Sequence, residues 1–84
     1  MKSIRLTRHA HEQAIERGAE ETEILEAITK GSCELTKHGR MLYRYNFEFG
    51  KHWQGKHYSI KQVAPVIKEE LNEIVVITVY TFYF

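Results

Sequence analysis

The sequence predicts one α+β domain spanning residues 1–84, with two N-terminal helices packed on one face of an antiparallel sheet, in the order β-α-α-β-β-β-β. Three observations predict it. Apolar residues recur at helical spacing before Gly31, with a break at Gly18. From Met41 onward the period changes to two. The helical segments precede an unbroken run of strands, the order in which helices gather on one side of a sheet. A chain of 84 residues is a single domain, and it buries only about 60% of its unfolded surface, so each element sustains one core face.

Residues 2–6 alternate, with Ile4 and Leu6 on one side, and read as a short strand. Thr7 is placed to cap a helix, its hydroxyl accepting from a backbone N–H that would otherwise be orphaned. The first helix runs from Arg8 to Arg17 and stops at Gly18, where a left-handed residue costs a glycine nothing. A second helix follows over Thr22–Lys30. Glu20, Glu21 and Glu23 stand near its positive end, Lys30 at its negative end, and Gly31 closes it. Ile24, Leu25 and Ile28 are its expected buried stripe.

A strand near Cys33–Lys37 leads into a hairpin turn at His38-Gly39. Met41, Tyr43, Tyr45, Phe47 and Phe49 then occupy alternate positions, opposite Leu42, Arg44, Asn46 and Glu48. Gly50–Gly55 reads as a loop. Tyr58–Lys68 reads as a strand with a bulge near Gln62, and Pro65 assigns it an edge or irregular place. The last strand, Ile74 to about Tyr83, is apolar on both sides and therefore interior. Its parity sends Val75, Ile77 and Val79 under the helices, and Val76, Thr78, Tyr80 and Phe82 to the open face.

Composition narrows the function classes. With 43% hydrophobic and 27% charged residues and one proline, the chain is neither disordered nor of low complexity. Its longest apolar stretch, Ile74–Phe84, has eleven residues, against the roughly 20 of a membrane-spanning helix. No membrane partner is expected, and residues 1–8 lack the apolar region of a secretory leader. One cysteine, Cys33, leaves no internal disulfide and no cysteine-based zinc site, and points to reducing cytosol. All eleven acids are glutamates, which disfavours two-metal nucleases and magnesium sites built around aspartate. His9 and His11 point about 200° apart on a helix. His52 and His57 lack a third ligand, so neither pair is a metal site. No cofactor is expected.

The net charge of +1 conceals an asymmetry. Between Lys37 and Lys61 lie six basic residues (Lys37, Arg40, Arg44, Lys51, Lys56, Lys61) and one acid, Glu48, whereas the remainder carries six basic and ten acidic residues. Trp53, Tyr43, Tyr45 and Tyr58 interleave with those cations. Such a mixture suits a phosphate backbone with stackable bases, so Arg44, Lys51, Lys56, Lys61 and Trp53 are the expected RNA-binding set.

His9, Gln13 and Arg17 lie within an arc of about 80° on the first helix, beside the apolar strip of Ala10 and Ala14. Histidine exchanges protons near neutral pH, and arginine offers a fork matched to phosphate oxygens. On the open face, Thr78, Tyr80 and Arg44 form a second polar cluster suited to binding phosphate and stacking a base.

Taken together, Thr7-Arg8-His9-Ala10, Arg17-Gly18, the acidic second helix ending at Gly31, and Thr78-Val79-Tyr80 resemble a bacterial domain-of-unknown-function family. Its members read "HA…RG" early and "TVY" late. That family is grouped with RelE, BrnT, barnase, EndoU and colicin-type ribonucleases, many of them toxins of toxin–antitoxin systems. The resemblance implies a RelE/barnase-like fold and metal-independent RNA cleavage by attack of the 2′-hydroxyl on the adjacent phosphorus. It implies His9 as acid/base, Arg17 as phosphate clamp, Thr78 and Tyr80 as last-strand contributors, and a protein antitoxin as partner. Glu69–Phe84 contains no lysine, arginine or histidine, so the second proton-transfer group is expected from Lys51–Lys61. The competing reading is a non-catalytic interaction module of the same fold. It would bind a protein or form a homodimer through the aromatic tail Tyr80-Thr81-Phe82-Tyr83-Phe84, unless Trp53 folds over that tail as a lid.

Overall fold

A computed structural model of the chain describes residues 2–84. The elements are β1 (Ser3–Leu6), α1 (Arg8–Arg17), α2 (Glu21–Lys30), β2 (Ser32–Leu35), β3 (Met41–Trp53), β4 (Lys56–Glu69) and β5 (Glu73–Tyr83). The strands form one five-stranded sheet in the order β1-β5-β4-β3-β2. Consecutive strands from β2 to β5 pair antiparallel, while β1 pairs parallel with β5, so the sheet is mixed. Both helices pack on one face: α1 lies against β5, and α2 against β3 and β4.

The helix ends follow their local chemistry. Thr7 Oγ1 accepts from the Ala10 N–H at 3.1 Å and donates to the Ile77 carbonyl at 3.2 Å, so the cap also ties α1 to β5. Gly18 takes φ +75°, and its N–H turns back onto the Ala14 and Ile15 carbonyls. Glu23 accepts from the Glu20 N–H at 2.9 Å and so starts α2 one residue ahead of Thr22. Ala27, not Leu25, completes the buried stripe beside Ile24; Leu25 lies 100° round the helix and is exposed. The core joins Ala10, Ala14, Ala19 and Ile24 to Val63, Ile67, Val76 and Val79.

Three strand expectations are corrected. Pro65 sits in β4, the central strand, in register with Val79 of β5. On its other side, the β3 ladder steps from Leu42↔Val66 to Tyr45↔Val63 without pairing at Pro65, where the missing N–H would leave a gap. No bulge occurs at Gln62. One lies in β3 around Gly50 (φ +57°), opposite Ser59, and the other in β5, where Ile77 is the extra residue between Thr78 and Val76. The second inverts the parity of the first half of β5. Val76 therefore joins Val79 in the cluster beneath the helices, while Val75, though buried, and Ile77 stand outside that cluster.

The third correction concerns Gly50–Gly55. It is no loop: β3 continues to Trp53, and the hairpin turns on Gln54 and Gly55, with φ +50° and +85°. Ten-residue helices span about 15 Å, whereas the molecule is 41 Å long. The hairpin tip therefore projects past the helices. There Tyr83 sits amid Phe49, Trp53 and Tyr58, its ring centroid 5.3, 5.2 and 5.5 Å from theirs. Trp53 stacks on Tyr83 and closes over Gly18 on the helix face, so it is not a lid on the open-face aromatics.

Candidate functional site

β1 covers the β5 edge only as far as Val76; beyond it, α1 takes over that edge. The His9–Gln13–Arg17 arc faces it. His9 Nε2 lies 3.4 Å from Thr78 Oγ1, and Arg17 Nη1 donates to the Val79 carbonyl at 2.8 Å. The Arg17 carbonyl accepts from Thr81 Oγ1 at 2.9 Å and from Tyr83 Oη at 2.7 Å. Burial holds the Tyr83 phenol above its ordinary range, with the Glu23 charge adding to this and a hydrogen bond with Thr81 opposing it. Between His9 and Arg17, Gln13 keeps its Oε1 buried without a hydrogen-bond partner. His9, Arg17, Thr78 and Tyr80 are thus neighbours along one strand edge, and Arg17 spends one nitrogen bracing that edge.

From this edge a row of flat groups crosses the open face. The Arg17 guanidinium lies 5.1 Å from the Tyr80 ring centroid, Tyr80 and Phe82 are 6.4 Å apart and nearly parallel, and Arg44 lies 5.6 Å from Phe82. Each contact sets positive charge over a ring face or stacks two rings. Arg44 also donates to Gln62 Oε1 at 3.0 Å and to Glu34 Oε1 at 3.2 Å, so its charge is partly answered within the fold.

Beside the row lies a groove of about 370 Å³. Leu42, Val66 and Ile77 supply its apolar lining, Thr78 and Tyr80 stand on the β5 side, and Thr36, Lys37, His38 and Arg40 of the β2–β3 turn form the opposite rim. Among the described residues no carboxylate lines it. Lys37, His38 and Arg40 lie in the predicted basic segment but were outside the expected binding set. The His38-Gly39 turn was legible in the sequence, but not the direction in which it bends over the sheet. His38 adopts φ +64°, as a tight hairpin turn demands.

The other expected phosphate contacts disperse. Lys61, expected at an exposed binding surface, is instead buried under the helices, 2.8 Å from Glu23 Oε1 and 2.9 Å from the Gly18 carbonyl. Trp53 is half-buried against Tyr83. Lys51 and Lys56 are exposed at the far hairpin tip, over the Phe49 and Tyr58 rings and outside the groove. His52 and His57 face each other there, ring centroids 5.4 Å apart. Among the described residues no three His, Cys, Asp or Glu side chains gather as a metal site, and no helix is long and apolar enough to cross a membrane. No family model matches the chain, and neither a curated protein nor a solved structure matches it.

Proposed function

We propose that this protein is a small RNase-like domain of toxin type that binds RNA on the open face of its sheet and cleaves it at the β5 edge. One observation carries the reading: His9 touches Thr78 on the wall of a cation-rimmed groove free of carboxylates. An imidazole supplies proton transfer near neutral pH, and Lys37 and Arg40 supply charge for phosphate oxygens. His38 on the far rim provides the second imidazole that the Lys51–Lys61 region does not bring to this place. In the reaction, the 2′-oxygen loses its proton to one imidazole and bonds to phosphorus. The bond from phosphorus to the 5′-oxygen breaks, and the other imidazole, as imidazolium, protonates that oxygen. The products are a 2′,3′-cyclic phosphate and a 5′-hydroxyl. Acid–base transfer by such groups accelerates the step by roughly 10²–10⁴-fold.

The test is incubation of an end-labelled single-stranded oligoribonucleotide with the protein in chelator, with product ends identified by mass. Cyclic-phosphate ends, lost at least about 100-fold in His9→Ala, support the reading. Intact RNA, or cleavage undiminished in His9→Ala, refutes it.

A second reading rests on a different observation. Tyr80, Phe82 and Phe84 remain 42, 39 and 64% exposed on the last strand and just beyond its end, a concentration of aromatic surface typical of contact sites. In this reading the module binds a protein or a second copy through that strand and has no catalytic step. Light scattering that shows a dimer, converted to monomer by Phe82→Ser/Phe84→Ser, supports it; a monomer at high concentration removes self-association.

A further inference from the structure

Two grooves of the molecule differ in charge. One, about 280 Å³, lies between α1 and α2, where Leu6, Ala14, Ile15 and Ile24 are joined by His11, Glu20 and Glu21. Its carboxylates repel phosphate. The other is the open-face groove, whose charged rim is basic throughout. Lys37 and Arg40 form no ion pair among the described residues, in contrast to Arg44 with Glu34 and Lys61 with Glu23. Their charge is available to a ligand.

From this, and resting on the reading that the open face binds RNA, we propose that the groove is a subsite for one unpaired nucleotide. The base lies over the apolar lining of Leu42, Val66 and Ile77 against the Tyr80 ring, and the phosphate sits between Lys37 and Arg40. Three features favour this occupant. A space of about 370 Å³ is at the small end of ligand pockets, which run from about 300 to 1,000 Å³, and it suits a single nucleotide rather than a duplex. Tyr80 is already braced by the Arg17 guanidinium 5.1 Å from its centroid, which fixes the ring before a base arrives. Apolar floor, aromatic wall and cationic rim occur together only here among the grooves described, and that set of groups matches a base joined to a phosphate.

The experiment titrates the full chain with 5′-AMP, 5′-UMP, adenosine and inorganic phosphate, read by amide chemical shifts. A short single-stranded oligoribonucleotide distinguishes the free nucleotide from the RNA strand. Nucleotides are expected to shift residues 36–40, Thr78 and Tyr80. Tyr80→Ala should weaken nucleotide binding about 5- to 150-fold, the range for one lost stacking contact, and leave phosphate binding unchanged. Lys37→Ala/Arg40→Ala should weaken both, while Lys51→Ala/Lys56→Ala should change neither. Unaltered thermal midpoints establish that each variant is folded. Shifts confined to the hairpin tip, or nucleotide affinity unchanged in folded Tyr80→Ala, overturn the subsite. Nucleotide binding here without RNA cleavage upholds the subsite and refutes catalysis; cleavage with no nucleotide effect in the groove does the reverse.

Discussion

Lys61 and Arg44 belong to adjacent strands and stand on opposite faces of one sheet, with different fates. Under the helices, Lys61 keeps 8% of its side chain exposed, contacts Glu23 at 2.8 Å and donates to the Gly18 carbonyl. Two partners offset the cost of removing its charge from water. Arg44, on the open face, keeps 37% exposed, shares Glu34 and Gln62, and rests over Phe82. The covered face thus uses a cation to join α2, the end of α1 and β4. The open face keeps cations near solvent beside aromatic rings. Counting basic residues along the chain measures neither role, because alternation across the strand and the placement of the helices decide which charges a ligand meets.

The largest effect tests the covered face. Lys61→Ala leaves Glu23 half-buried without its partner and should cost about 3–5 kcal/mol, read as a lower denaturation midpoint in urea; Arg44→Ala should cost under about 1 kcal/mol. Equal losses would erase the distinction between the faces. Next comes Gly18→Ala. The left-handed backbone disfavours a Cβ, which would also stand 2.8 Å from Trp53 Cη2 and Tyr83 Oη. Together these should cost about 2 kcal/mol or more, with a change in Trp53 fluorescence as the stack is displaced.

A smaller effect is set by pH. Burial raises the Tyr83 phenol, so the folded chain holds that proton more tightly than the unfolded chain does. The resulting stability is whole below the ordinary tyrosine value of about 10 and is lost as pH rises through the folded value. Thermal melts should therefore fall in alkali, and Tyr83→Phe should shed part of that slope while losing the bond to the Arg17 carbonyl; an unchanged slope would assign it elsewhere. The smallest effect belongs to the open face. Phe84→Ser should move stability by no more than about 0.5 kcal/mol, since Phe84 is 64% exposed. A loss above 1 kcal/mol would mean that this residue is packed in solution, as the self-association reading requires.

Local chemistry by itself determined the helices and the succession of elements along the chain, but not the parallel pairing of β1 with β5. Thr7, Gly18 and Gly31 act on backbone groups within a few residues of themselves, so the bounds of α1, and of α2 to within one residue, were legible in the sequence. The period of two likewise placed Arg44 opposite Tyr43 and Tyr45 on β3. The shared arc of His9 and Arg17 followed from helix geometry alone, whereas the β5 edge it faces did not. Tertiary structure decided the rest. A single extra residue, Ile77, reverses the inward-facing set of β5 before Thr78, because strand parity carries no memory across a bulge. Pro65 occupies the central strand because the β3 ladder skips it. Lys61 turns from expected ligand contact to buried ion pair because Glu23 on α2 lies above it, a proximity between residues distant in sequence. The groove has the same origin: the Lys37–Arg40 turn and Thr78–Tyr80 meet only when β2 to β5 are laid side by side, and no periodicity along one strand encodes what a neighbouring turn will cover.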